Sequence, residues 1–233
     1  MIYVTGDVHG MEEFSKLHRF AGEHPELTLD DYVIVAGDFG AVWSESTLAE
    51  NMWYYKDLPF TVLFVDGNHE NFDMLNSYPV EIWNGGKVHK IRQNVIHLMR
   101  GQVFEIEGNT IFTFGGATSI DRYCRREGIS WWPQEVPTFE ELDEGMANLK
   151  RYGNKVDYII THSCGERALA YPKLRFSATM KLDSPEINIL SNFEDNVQFK
   201  HWYFGHFHMD EQLSDKYTVL LHDIVKLGDY DEY

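Results

Sequence analysis

Five short stretches of this chain hold residue types that could bind a cation together. They are Gly6-Asp7-Val8-His9, Gly37-Asp38, Gly67-Asn68-His69-Glu70, Thr161-His162 and Gly205-His206-Phe207-His208. Imidazole nitrogens beside carboxylate and carboxamide oxygens suit first-row divalent metals. Asp7, His9, Asp38, Asn68, His162, His206 and His208 make seven candidate ligands. Seven ligands with one carboxylate shared is the arithmetic of a two-metal site. A lone histidine after a strand is ordinarily a satisfied polar group, and His18, His24, His89, His97, His201 and His222 are read that way. The ordered recurrence of all five stretches sets the others apart.

Such ligands need rigid supports, and the sequence places each after an apolar run. Residues 2–4, 32–36 and 62–65 read as buried strands that end at the first three stretches. Helical spacing of Met11, Phe14, Leu17 and His18 predicts a helix over 11–20, and a second is expected over 48–55. Residues 87–116 alternate apolar and polar, with turns at Gly101-Gln102 and Gly108-Asn109, which predicts antiparallel strands. Thr138 with Glu141 forms a capping box that should open a helix. Strands are expected at 156–160 and 202–204, a helix over 185–193, and a closing strand over 218–225. Residues 117–137 and 163–184 read as irregular. Gly6, Gly37, Gly67 and Gly205 are expected to let the backbone turn at the strand ends. The strand–loop–helix rhythm predicts an α/β fold of two mixed sheets flanked by helices, with ligands at the carboxyl ends of strands.

Composition narrows the partners. At 233 residues, 43% hydrophobic and 24% charged, the chain fits one domain over 1–233 with a sizeable core. Its longest apolar run, 32–36, is far short of a membrane span, and the first residues lack a signal-peptide layout. Cys124 and Cys164 are the only cysteines and form no CxxC, so a reducing cytoplasmic setting is expected. Lys and Arg number 20 against 37 Asp and Glu, a net charge of −17. That balance argues against an extended nucleic-acid surface, though not against a small phosphate ester held by metal ions. No phosphate-loop, nucleophile-elbow or HExxH motif offers a competing chemistry.

The ordered set from Asp7 to His208 resembles the calcineurin-like metallophosphoesterases, in particular their small bacterial and phage members. The resemblance implies a four-layer α/β/β/α sandwich and a dinuclear centre: Asp7, His9 and His208 on one metal, Asn68, His162 and His206 on the other, Asp38 bridging. It places His69 outside the metals, assisting the leaving group. It implies hydrolysis of a phosphomonoester or phosphodiester by a metal-bridging hydroxide, with manganese first and iron or zinc compatible. The protein-phosphatase branch carries Asp-Arg where this chain has Ala41-Val42, which counts against a serine/threonine phosphatase. A non-catalytic scaffold of the same fold is a further alternative, opposed by the complete ligand set and His69.

The stretch 117–137 is similar to an insert in those small members. It holds Ser119, Asp121, Arg122, Arg125, Arg126, Trp131, Trp132 and Glu135. Arg122 or Arg126 is expected to grip a substrate phosphate oxygen. The plain alternative is that the arginines are solvated and the tryptophans anchor the loop.

Overall fold

The computed structural model describes residues 1–10, 15–177 and 184–229. In chain order its first elements are β1 (Ile2–Thr5), α1 (Ser15–Glu23), β2 (Tyr32–Val35), α2 (Glu45–Tyr55), β3 (Thr61–Phe64) and α3 (Phe72–Leu75). Five strands follow: β4 (Val80–Trp83), β5 (Gly86–Arg92), β6 (Val95–Leu98), β7 (Gln102–Ile106) and β8 (Asn109–Phe114). Then come α4 (Phe139–Arg151), β9 (Tyr158–Thr161), α5 (Glu166–Leu169), α6 (Pro172–Ser177), α7 (Pro185–Asn196), β10 (His201–Phe204), β11 (Glu211–Gln212), β12 (Tyr217–Val219) and β13 (Ile224–Lys226).

Among the described residues one sheet runs β13-β1-β2-β3-β6-β5-β4 and the other β11-β12-β10-β9-β8-β7. The central strands of each are parallel: β1, β2, β3 and β6 in the first, β12, β10, β9 and β8 in the second. Strand periodicity sorts their side chains into three apolar layers. Ile2, Val4, Ile34 and Leu63 meet Ile111, Ile160 and Tyr203 between the sheets. Tyr3, Val33, Val35 and Phe64 turn the other way, onto Leu17 and Phe20 of α1 and Met52 and Tyr55 of α2. Phe112, Phe114, Ile159 and Trp202 cover the far side against Leu142 and Leu149 of α4 and Ile187, Leu190 and Phe193 of α7. The result is the α/β/β/α sandwich. No helix among the described residues is long and apolar enough to cross a membrane.

Several expectations change. Met11 and Phe14 lie outside the described residues; in α1, Leu17 and Phe20 are buried, His18 is exposed, and Lys16 is buried instead. β4 was not expected: it is a short edge strand with Val80 and Ile82 exposed, so no buried run announces it. The stretch 163–184 contains α5 and α6 rather than irregular chain alone. The closing strand over 218–225 is two strands, β12 and β13, in different sheets. The Asp210 carboxylate breaks it by gathering the backbone N–H groups of Leu221, His222 and Asp223 at 2.8–3.1 Å.

Candidate metal centre

The carboxyl ends of β1, β2 and β3 in one sheet and of β9 and β10 in the other converge, and all seven candidate ligands meet there. Asp7 and Asp38 are buried, as are Asn68 and His162. His9 Nε2 lies 3.3 Å from Asp38 Oδ2 and 4.0 Å from Asp7 Oδ2, and His208 Nε2 lies 3.3 Å from Asp7 Oδ2. Asp7 Oδ2 is nonetheless buried with no hydrogen bond. On the other side His162 Nε2 lies 3.4 Å from Asp38 Oδ1 and 3.1 Å from Asn68 Oδ1, and the His162 and His206 ring centroids are 4.8 Å apart. Asp38 thus faces both groups. A buried carboxylate oxygen left unbonded costs roughly 1–3 kcal/mol or more unless a cation meets it. Such an oxygen, ringed by imidazoles, fits a divalent ion. The ligand atoms of Asp7, His9 and His208 all lie within 4.8 Å of one another, as do those of His9, Asp38 and His69.

Backbone conformation aims these groups. His9, Asp38, His206 and His208 have φ of 46°, 45°, 69° and 50°, in the left-handed region. For residues with a Cβ this costs roughly 1–3 kcal/mol each and persists where the surroundings enforce it. The glycines serve a different purpose from the one expected. Of the four, only Gly37 has positive φ, at 95°, and a Cβ there would strike the His162 ring. At Gly67 a Cβ would meet Asp38, and at Gly205 it would meet Asp7 Oδ1. These glycines make room for the ligands.

Hydrogen bonds fix the donors. His162 Nδ1 lies 2.9 Å from Ala36 O, so donating there leaves Nε2 facing Asp38 and Asn68. Asp38 Oδ1 accepts from His69 N at 2.7 Å, and Asp7 Oδ1 from His206 N at 3.0 Å. Burial alone would lower His162, but Asp38 and Asp7 raise it to about 10, so without an ion its proton supplies the positive charge. Burial likewise works to raise Asp38, yet His162 and His9 hold it well below the carboxylate range.

Some residues entered no sequence argument for the site. The buried Lys16 ammonium donates to Asp7 O at 2.7 Å and Gly6 O at 3.1 Å, and also to Leu221 O, placing a positive charge behind the anionic ligands. Nothing in its helical spacing signalled this. Glu70, part of the third stretch, is buried and accepts from Phe39 N at 2.7 Å and Gly40 N at 3.2 Å, which clamps the loop after Asp38.

A cleft of about 610 Å³ opens beside the centre, lined by His9, His69, Trp43, Glu50, Asn51 and Arg125 among others. The arginine there is Arg125, rather than Arg122 or Arg126, which are exposed and do not line it. Arg125 Nε donates to Asp121 Oδ1 at 2.8 Å, and Nη1 donates to Ser130 O at 3.1 Å. Trp132 is buried edge-on to Trp43 and donates to Asp73 Oδ2 at 2.8 Å, so it anchors the loop. Burial lowers His69, Asp38 raises it, and Arg125, His9 and His162 lower it again, for a net pKa below the ordinary range. Ala41 and Val42 are buried in the α2-side core. Cys164 is buried in the layer under α4 and α7.

Comparison with known proteins places the chain in a family. A family model described as calcineurin-like phosphoesterase matches residues 1–210. No curated protein sequence matches. Among solved structures, the chain is similar to phosphopantetheinyl hydrolase from Mycobacterium tuberculosis, at 16% identity and a TM-score of 0.46 over 94% of this chain and 87% of that one. It is also similar to the sulfate thiohydrolase SoxB of Thermus thermophilus, at 10% identity and a TM-score of 0.44 over 95% of this chain and 51% of that one. Neither likeness is close enough to speak to substrate. The family match runs from the first strand through the last pair of histidines, and the chain belongs to the calcineurin-like phosphoesterases.

Proposed function

We propose that this protein hydrolyses the phosphate ester of a small molecule, a monoester or diester, at a centre of two divalent ions. The observation that carries the reading is Asp7 Oδ2, buried and unbonded between His9 and His208. Asp7, His9 and His208 would hold one ion, Asn68, His162 and His206 the other, with Asp38 shared. Bound ions supply Lewis-acid charge to the phosphoryl oxygens and lower the pKa of water. Manganese is the first choice for this mixed oxygen and imidazole set, with iron or zinc compatible.

The chain's own residues do the rest. Lys16, behind Asp7, offsets part of the buried negative charge. Arg125 lines the cleft from outside the ligand set, where it would bind a non-bridging phosphate oxygen. His69 would hold or give a proton to the departing oxygen. An arriving phosphate dianion raises its pKa toward the range where it can do so. A protein-phosphatase reading finds no support at Ala41 and Val42, whose side chains pack in the core. The net charge of −17 favours a small ester over an extended nucleic acid. Free Cys124 and Cys164 suit a reducing cytoplasm.

Turnover of p-nitrophenyl phosphate and bis-p-nitrophenyl phosphate by chelator-stripped and Mn²⁺-reloaded protein tests the reading. Activity that returns with metal supports it, and the preferred ester separates monoesterase from diesterase. Equal activity before and after stripping, or none with either ester, contradicts it.

A further inference from the structure

Asn68 differs from the other ligands in that its two side-chain ends are an oxygen and a nitrogen of similar shape. Only Oδ1 can bind a cation, so Nδ2 must point away from the ions, and a buried NH₂ needs an acceptor. Asn68 Nδ2 donates to Ser119 Oγ at 3.1 Å, leaving Oδ1 3.1 Å from His162 Nε2. A hydroxyl that accepts there must place its own proton elsewhere, and Ser119 Oγ donates to Glu135 Oε2 at 2.7 Å. The other oxygen, Glu135 Oε1, accepts from Ser119 N at 2.7 Å. A backbone N–H can only donate, so Oε1 accepts, and with the carboxylate ionised Oε2 accepts as well. The direction of the whole relay follows, from Asn68 through Ser119 to Glu135.

All three side chains are buried. Ser119 and Glu135 stand near the two ends of the 117–137 loop, and the second end is tied down. Arg100 Nη2 donates to Gln134 O at 2.9 Å and to Asp66 Oδ2 at 2.6 Å, while Nη1 reaches Glu141 Oε2 of α4 at 3.0 Å. The loop is thus framed from beneath.

We infer that Ser119 and Glu135 are positioning residues that hold the Asn68 carboxamide with its oxygen toward the ions. The loop thereby completes the metal centre without contributing a ligand. This rests on the two-ion reading above, with Asn68 as a ligand.

Glu135→Gln tests it with little change of shape. A glutamine that accepts from Ser119 N presents its NH₂ to Ser119 Oγ, which reverses the relay and favours Asn68 with Nδ2 inward. Calorimetric titration of the stripped full-length chain with Mn²⁺ should show two equivalents in the wild type. In Glu135→Gln one should weaken by roughly 10- to 100-fold while the other is kept. Ser119→Ala, which removes only a hydroxyl, should act in the same direction and carries the test should Glu135→Gln fail to fold. In an Asn68→Ala background, Glu135→Gln should add nothing. Two equivalents at wild-type affinity in both single variants, or a further loss in the Asn68→Ala background, overturns the inference. A wild-type chain that takes up only one ion removes the two-ion reading instead, a result distinct from two ions and unmoved variants.

Discussion

His69 follows the candidate ligand Asn68 in sequence, and its ligand atom lies within 4.8 Å of those of His9 and Asp38, yet the proposed role is at the leaving group. His69→Ala should therefore keep both ions while losing turnover by about 10²- to 10⁴-fold, as for other general acids. Metal content beside rate checks this, and a lost ion would make His69 a ligand instead. Arg125 supplies a second separable test. A charged hydrogen bond to phosphate contributes about 1.5–3 kcal/mol, so Arg125→Ala should lower kcat/KM by roughly 10- to 150-fold with metal content unchanged. Arg122→Ala should leave kinetics near wild type, since Arg122 is exposed and outside the cleft. The reverse result would return the phosphate contact to Arg122. The sequence singles out Arg122 or Arg126 for that contact, whereas the arginine that lines the cleft is Arg125. Arg125 is set by contacts to Asp121 and Ser130 within the same loop, and an irregular backbone offers no periodicity from which to read which side chain faces the cleft.

Strand ends carry the site, and their close packing makes them intolerant of added atoms. In Gly205→Ala, after β10, the new methyl would meet Asp7 Oδ1 and lie 2.7 Å from Ala36 O. Overpacking of that kind costs roughly 1–3 kcal/mol. Because the strained contact is a candidate ligand, metal affinity should fall along with the melting temperature, and a titration with a thermal melt would show both. At α4 the capping box is formed, with Thr138 Oγ1 accepting from Glu141 N at 3.2 Å and Glu141 Oε2 from Thr138 N at 2.8 Å. Thr138→Ala should cost about 1 kcal/mol by denaturant titration, with no effect on metal binding. Elements like this one were legible because their signals are local: apolar runs for β1, β2 and β3, and a capping box for α4. β4, α5 and α6 were not, because the first exposes its apolar residues and the others, at four and six residues, are too short to show a helical period. The roles of Gly67 and Gly205 differ from the expected ones for a related reason. Space for a neighbour's carboxylate leaves no mark on the local sequence.

Across the whole molecule, the inter-sheet core brings two sets of strand ends into one register, and buried polar groups near it couple stability to pH. His89 is buried against His97, 3.2 Å between their Nδ1 atoms, and burial together with the His97 charge lowers it from 6.5 to about 4. The folded state therefore resists a proton that the unfolded chain accepts. Stability from this group is intact above pH 6.5 and falls as pH drops from 6.5 toward 4, by an amount of order 2–3 kcal/mol. His89→Leu should flatten that part of the stability–pH profile whatever its effect on the absolute melting temperature; an unchanged slope would show that His89 titrates normally. The proposed site itself spans both sheets, seven residues holding two ions. Anomalous scattering from crystals of Mn²⁺-reconstituted protein tests it most directly. Two peaks are expected, one among Asp7, His9 and His208 and one among Asn68, His162 and His206, with Asp38 touching both; a single peak, or one coordinated by His69, would overturn the two-ion assignment.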